Sequence, residues 1–226
     1  LIGQDAAFVE IKGITFSGGQ SQVGGGIYIE SSSPKLSGII VENNTAEVGG
    51  GIYINESDVE LDHVTVINNG SNFGGGIYAT GSIVKLVSSS IDSNIAYWGA
   101  GLYSEDSGFD IERSNIRFNL AYIEGGAIYQ NGNNMDITES AITSNTGLDF
   151  GGALVCYMGI MDLDRVTIAG NSSNYGSAFN MREAVITISN SIVWENGENT
   201  VYSSSSSQAS MMNIGYTNFY GGESYL

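Results

Sequence analysis

The 226-residue chain contains one cysteine, one proline, one histidine and only seven basic residues. A lone Cys156 cannot close an internal disulfide, and the only histidine, His63, has no evident route to it, so neither a disulfide framework nor a histidine-assisted thiol nucleophile is expected. Cys156 reads instead as a core or semi-buried thiol. Seven bases against 24 acids leave a formal charge of −17, which argues against nucleic acid and against anionic membrane surfaces as partners. No apolar run approaches the ~20 residues that span a bilayer, so membrane insertion is not expected. Helical periodicity is absent as well, which removes helical bundles and α/β folds from consideration.

What the chain does have is a repeat. Gly24-Gly25-Gly26-Ile27-Tyr28 returns at Gly49, Gly74, Gly99, Gly125, Gly151 and Gly176, at offsets of 25, 25, 25, 26, 26 and 25 residues. Self-similarity at such a period marks a solenoid or a related stack. Ahead of each glycine segment runs a second signal, apolar-x-apolar-x-x-apolar-x-apolar-x-x-Asn, as in Val59, Leu61, Val64, Val66 and Asn69, or Met161, Leu163, Val166, Ile168 and Asn171. Period-two alternation split by one extra residue predicts two short strands joined by a bend. The glycine segment predicts a third strand, because Val23, Gly25 and Ile27 share one parity, with Val48, Phe73, Trp98, Phe150 or Tyr175 at the first place of later copies. Three short strands in about 25 residues make one coil, and strand material beginning near residues 9, 34, 59, 84, 109, 135, 161, 186 and 212 gives about nine coils. The fold expected is all-β: a right-handed, single-stranded parallel β-helix forming one domain over residues 1–226.

Asn44, Asn69, Asn94, Asn119, Asn145, Asn171 and Asn196 keep the same spacing. A side-chain amide both donates and accepts, so asparagines stacked at the β spacing of roughly 4.8 Å can bond along the column, and Asn tolerates the left-handed turn conformation. These seven read as a structural ladder. The glycines read as close packing or unusual backbone angles rather than a phosphate cradle, since no helix and no Lys-Ser/Thr follows them. The two 26-residue intervals place their extra residue at 120–124 and 146–150, which predicts larger bends there. After Gly197 the pattern loosens: residues 197–226 read as an irregular last coil with a Ser-rich loop at 203–207.

Two outward columns carry whatever chemistry the repeat offers. One runs Glu10, Lys35, Glu60, Lys85, Asp110, Asp136, Asp162 and Thr187. Its first half alternates in sign, a plain surface ladder, while Asp110, Asp136 and Asp162 repel at strand spacing, with Glu112 and Asp164 on the same face. This is a candidate calcium site, because hard cations take several carboxylates in one shell. The plainer alternative is a solvated acidic face partly neutralised by Arg113 and Arg165. The other column is Tyr28, Tyr53, Tyr78, Tyr103 and Tyr129. It reads either as a self-stabilising aromatic ladder, as a platform for sugar rings, or as a face covered by another domain or subunit.

The bends Val41-Glu42-Asn43-Asn44 and Ile116-Arg117-Phe118-Asn119, followed by Gly125-Gly126-Ala127-Ile128-Tyr129, resemble the repeats of polymorphic outer-membrane proteins, which are bacterial surface adhesins. The ending Ser191-Ile192-Val193-Trp194-Glu195-Asn196, with Ile214-Gly215-Tyr216-Thr217-Asn218-Phe219-Tyr220, is similar to the last coils of large secreted bacterial β-helix proteins. This resemblance covers nearly the whole chain and implies an extracellular or outer-surface location on a bacterium. With no signal peptide apparent and Leu1 almost inside the first coil, the chain reads as a portion of something longer, and the strand edges at its two ends are expected to meet neighbouring domains or further copies of the chain. The function expected is a non-catalytic structural or adhesive stalk with no required cofactor, making surface, glycan or self-assembly contacts. The alternative is a calcium-dependent polysaccharide lyase, since pectate lyases and polygalacturonases share this architecture. No Asn-Thr-Asp, Asp-Asp or Gly-His-Gly motif is present to support a hydrolase.

Overall fold

A computed structural model describes residues 9–197, 199–204 and 208–220. These residues form parallel strands and no helix: two nine-stranded sheets, one of eight strands and a fourth of three. Each long sheet takes one strand from every coil, as expected for a parallel β-helix. A representative coil contributes Asp58–Asp62 to the first sheet, Thr65–Ile67 to the second and Ile77–Thr80 to the third, then returns to the first at Ile83–Val87. The register is in step along the three long sheets, so Leu36 lies beside Leu61, Leu61 beside Leu86 and Leu86 beside Ile111.

Alternation decides what is buried. Leu61, Leu86, Ile111 and Ile137 on the first sheet, Val66, Ile91, Ile116 and Ile142 on the second, and Ile52, Ile77, Leu102 and Ile128 on the third are all 0–1% exposed. They form one continuous apolar column along the axis. Each such aliphatic side chain contributes about 1.5–3 kcal/mol by leaving water. No described helix is long and apolar enough to cross a membrane.

Single left-handed residues make the corners. His63, Ser88, Arg113, Glu139 and Arg165 turn the chain between the first and second sheets, with φ between 48° and 55°. At the next corner the left-handed residue is Asn43, Asn68, Ser93, Phe118 or Ser144, each immediately before a ladder asparagine. The ladder asparagines themselves are not in that conformation. Their place is fixed by hydrogen bonding, and the strained position beside them accepts several residue types.

Three further expectations change. Val23 does not share a strand with Ile27, because Gly24 has φ +64° and breaks the alternation. Val23, Val48, Phe73 and Trp98 instead meet their counterparts through isolated bridges. Phe73 stacks on Trp98 at 4.9 Å and meets Tyr103 edge-on at 5.8 Å, placing this column on the outside beside the tyrosines. Second, the extra residues at 120–124 and 146–150 fall where expected, with a register shift opposite Ala96 and Trp98, but 120–124 is extended, and only Leu148 and Asp149 bend, after the strand at Thr146–Gly147. Ile95–Trp98, Leu120–Glu124 and Thr146–Gly147 form the short fourth sheet, closed underneath by Ala96, Ala100 and Ala121. Third, Ser203 and Ser204 belong to the strand Val201–Ser204, paired with Phe179–Arg182, rather than to a loop. Residues 205–207 lie outside the described residues. The last coil retains its partners, with Met211–Gly215 beside Val185–Ser189 and Asn218–Phe219 beside Ile192–Val193.

Candidate functional site

The asparagine column is a hydrogen-bonded ladder along its whole length. Nδ2 of Asn44, Asn69, Asn94, Asn119, Asn145 and Asn171 each donates to Oδ1 of the next asparagine at 2.9–3.0 Å. The same Oδ1 atoms accept a backbone N–H from the preceding rung, and Nδ2 reaches back to a carbonyl such as Val41 O at 2.9 Å or Val66 O at 3.0 Å. All seven are buried, so their polar capacity is spent inside the fold. Two serine ladders accompany it and were not apparent in the repeat pattern. Backbone N–H groups of Ser32, Ser57 and Ser82 donate to the hydroxyls of Ser57, Ser82 and Ser107 at 3.0–3.1 Å. Those of Ser89 and Ser114 donate to Ser114 and Ser140 at 3.0 Å. Their signal in the sequence is a serine directly after left-handed residues such as Glu56, Asp106, Ser88, Arg113 and Glu139.

The glycines are architectural. Gly49 has φ +65°, and a Cβ on Gly75 would lie 2.6 Å from both Ala100 O and Ile95 O.

The charged column pairs in the order expected: Glu10, Lys35, Glu60, Lys85, Asp110, Asp136, Asp162, Thr187. Lys35 Nζ meets Glu60 at 2.7 Å, and Lys85 Nζ lies 3.9 Å from Asp110. Burial and then the charges of Asp162 and Asp110 hold the Asp136 carboxyl above the usual carboxylate range. The remaining expected ligands have other partners. Glu112 pairs with Arg113, whereas Asp164 accepts from Asn190 at 2.7 Å and Ser189 at 2.8 Å and also pairs with Arg165. Those contacts hold Asp164 below the usual range. Arg165 bridges to Glu139 at 3.1 Å. Asp110, Asp136, Asp162 and Asp164 therefore line an open depression of about 500 Å³, but among the described residues no three acidic, cysteine or histidine side chains converge as a metal ion would require.

The tyrosines form one stack. Ring centroids from Tyr28 through Tyr53, Tyr78 and Tyr103 to Tyr129 are 5.3, 5.4, 5.1 and 4.8 Å apart, with planes within 12° of parallel. The faces are thus turned to one another, and what this side offers to solvent is ring edges and hydroxyls. A sugar cannot lie flat on such faces, so a platform of the kind expected from the sequence is limited to edge contacts. Burial, with the Glu105 hydrogen bond and charge next, raises the Tyr78 hydroxyl pKa, and burial pushes that of Tyr103 up to about 12.

The ladder stops after Tyr129. Its next two rungs are Val155 and Asn180, and then Tyr202 resumes it. The missing rings leave a hollow of about 120 Å³ lined by Glu124, Phe150, Val155, Tyr157, Asn180, Arg182, Tyr202 and Ser204. Glu124 occupies the neighbouring outer column between Trp98 and Phe150, where aromatic residues otherwise predominate. Burial raises its carboxyl pKa, opposed in part by Arg182. The Arg182 guanidinium lies over the Tyr157 ring at 4.8 Å. Neither motif nor period points to this hollow; the only sequence signal is two non-aromatic residues in a tyrosine column.

Cys156 is fully buried, with Sγ 3.5 Å from Gln130 Oε1 and its thiol pushed up to about 12 by burial. His63 sits on an exposed corner against Asp62 at 2.6 Å.

A family model described as right handed beta helix region matches residues 1–160. Nothing among curated proteins or solved structures matches the chain.

Proposed function

The chain belongs to the right-handed β-helix family, and from that premise we propose that it is a non-catalytic structural or adhesive rod, working outside the cell or on the outer surface of a bacterium. One observation carries this reading: five stacked, half-buried tyrosines present a continuous line of ring edges and hydroxyls across five coils. Such a line suits an extended partner, whether matrix, glycan chain or another copy of the rod, since aromatic edges with hydroxyls give amphipathic contact at little entropic cost. The inner ladders support it by making the rod rigid. The likeness of its repeats to bacterial surface proteins supports the location. Its two ends are proposed to meet neighbouring domains or further copies, because open strand edges template pairing.

Replacing Tyr53, Tyr103 and Tyr129 by phenylalanine keeps the stack and removes outward hydroxyls. Beads coated with the triple variant should lose retention on immobilised glycans or on the chain itself, with an unchanged circular dichroism spectrum. Retention equal to wild type on every surface that binds wild type would refute the role of this face.

A second reading, a calcium-dependent lyase acting on acidic polysaccharide, is favoured by the depression containing Asp110, Asp136, Asp162 and Asp164 and by the raised Asp136 carboxyl pKa. The arginines nearest in sequence are already paired with acids, which leaves the base unassigned.

A further inference from the structure

We propose that the hollow where the tyrosine ladder is interrupted, bounded by Glu124, Phe150, Asn180, Arg182 and Tyr202, binds a single neutral pyranose unit. This site lies beyond the stacked tyrosines, and it stands whether or not their edges contact anything.

The size comes first. About 120 Å³ is well under the ~300–1,000 Å³ of sites for larger ligands, so the hollow takes one ring at most, with part of it left in solvent, and not a chain. Its origin is specific: Val155 and Asn180 take two successive rungs that tyrosine fills in five earlier coils, and Tyr202 closes the far side. The fold has left out rings rather than filled them.

The lining selects the guest. Asn180 is only 8% exposed, yet its side chain makes no hydrogen bond to any described residue. No fully buried side-chain nitrogen or oxygen among the described residues lacks a partner, so the Asn180 amide must keep its residual exposure toward the hollow it lines. A buried amide without a protein partner is costly unless water or a ligand satisfies it. It offers a donor and an acceptor together, which is what a pair of vicinal hydroxyls needs. Glu124 and Arg182 supply an acceptor and a set of donors, and no direct ion pair joins them. The rings of Phe150 and Tyr202, with centroids 5.6 Å apart and planes tilted by 47°, provide an apolar wall for the C–H side of a sugar.

Charge excludes the other classes. An anion would find one guanidinium in a chain of net charge −17, beside Glu124. A cation would be repelled by Arg182, which already rests on Tyr157. A neutral polyol with one apolar face uses every group present.

The test is saturation-transfer NMR on the whole chain with the methyl glycosides of glucose, galactose, mannose and N-acetylglucosamine at millimolar concentration. At least one should receive saturation on its ring protons. Asn180→Tyr restores the missing ring and should abolish that signal while the melting temperature is kept. Asn180→Ala, which leaves the space open, should weaken binding about tenfold, and His63→Ala, on an exposed corner of an earlier coil, should leave it unchanged. If Asn180→Tyr fails to fold, the alanine variant decides. Absence of transfer to all four glycosides would overturn the proposal, as would transfer that survives in Asn180→Tyr, or, when only the alanine variant folds, an affinity in Asn180→Ala equal to wild type. Binding of tetramethylammonium or acetate at this site in place of any glycoside would also overturn it.

Discussion

Replacing Asn94 by alanine removes a middle rung of the asparagine ladder, and its cost follows from what is left behind. Asn94 Oδ1 accepts both the backbone N–H of Asn69, at 2.9 Å, and its side-chain Nδ2, at 3.0 Å. Asn94 Nδ2 donates to Val66 O and to Asn119 Oδ1, each at 3.0 Å. With alanine, Asn119 Oδ1 still receives the backbone N–H of residue 94, but two donors of Asn69 face a site with no acceptor, in a region less than 2% exposed. Each buried orphan costs about 1–3 kcal/mol, so the substitution should cost about 3 kcal/mol, a large part of the 5–15 kcal/mol that holds a typical domain. Asn44→Ala provides the internal comparison. Its Oδ1 accepts only the part-buried Gly19 N–H, at 2.8 Å, so about half that loss is expected. Guanidinium unfolding followed by far-ultraviolet circular dichroism gives both values, read as midpoint shifts at constant slope. A loss below about 1 kcal/mol for Asn94→Ala, or one no larger than for Asn44→Ala, would show that the ladder is a consequence of the coil and not a support of it.

Gly49→Ala should destabilise by about 1–2 kcal/mol, since φ +65° is a left-handed conformation and the new Cβ would lie 2.9 Å from Tyr53 Cβ; thermal melting reads it. Asp136→Asn should stabilise by a few tenths of a kcal/mol at neutral pH, because three stacked aspartates repel across an exposed face. The folded-state pKa of Asp136 is raised, so the penalty is complete above that pKa and fades as pH falls through it toward the ordinary carboxylate value. The variant's advantage over wild type should shrink in acid, and an advantage that grows there would contradict the sign. Cys156, buried with a thiol at about 12, should resist iodoacetamide at pH 8 until the chain is unfolded; alkylation of the native protein at the rate of a free thiol would place it elsewhere.

The coil was legible because its most demanding positions admit few residues. Asn69 must donate and accept within one column, and Gly74 and Gly75 combine a left-handed turn with close backbone approach, so both recur at fixed spacing. Parity misled where it ignored backbone angle: Val23 matches Ile27 in alternation, but the positive φ at Gly24 lies between them. The left-handed corner before each asparagine was also misplaced by one residue, because Asn43, Ser93 and Phe118 share no chemistry that a pattern could register. The outward direction of Tyr53 and Tyr78 was readable from period two, whereas the stacking of their faces at 5.4 Å depends on rotamers that no periodicity encodes. The hollow beside Asn180 was invisible for a different reason: Val155 and Asn180 looked like drift in the repeat, and only the space between Glu124 and Tyr202 gives their departure a meaning.

The role proposed for this rod is contact and not catalysis. Its most direct test is to incubate the chain with acidic polysaccharide, with and without calcium, and to follow the ultraviolet absorbance of unsaturated product. The account predicts a flat trace in both conditions. A calcium-dependent rise that disappears in Asp136→Ala would contradict it and assign the acidic depression to a lyase.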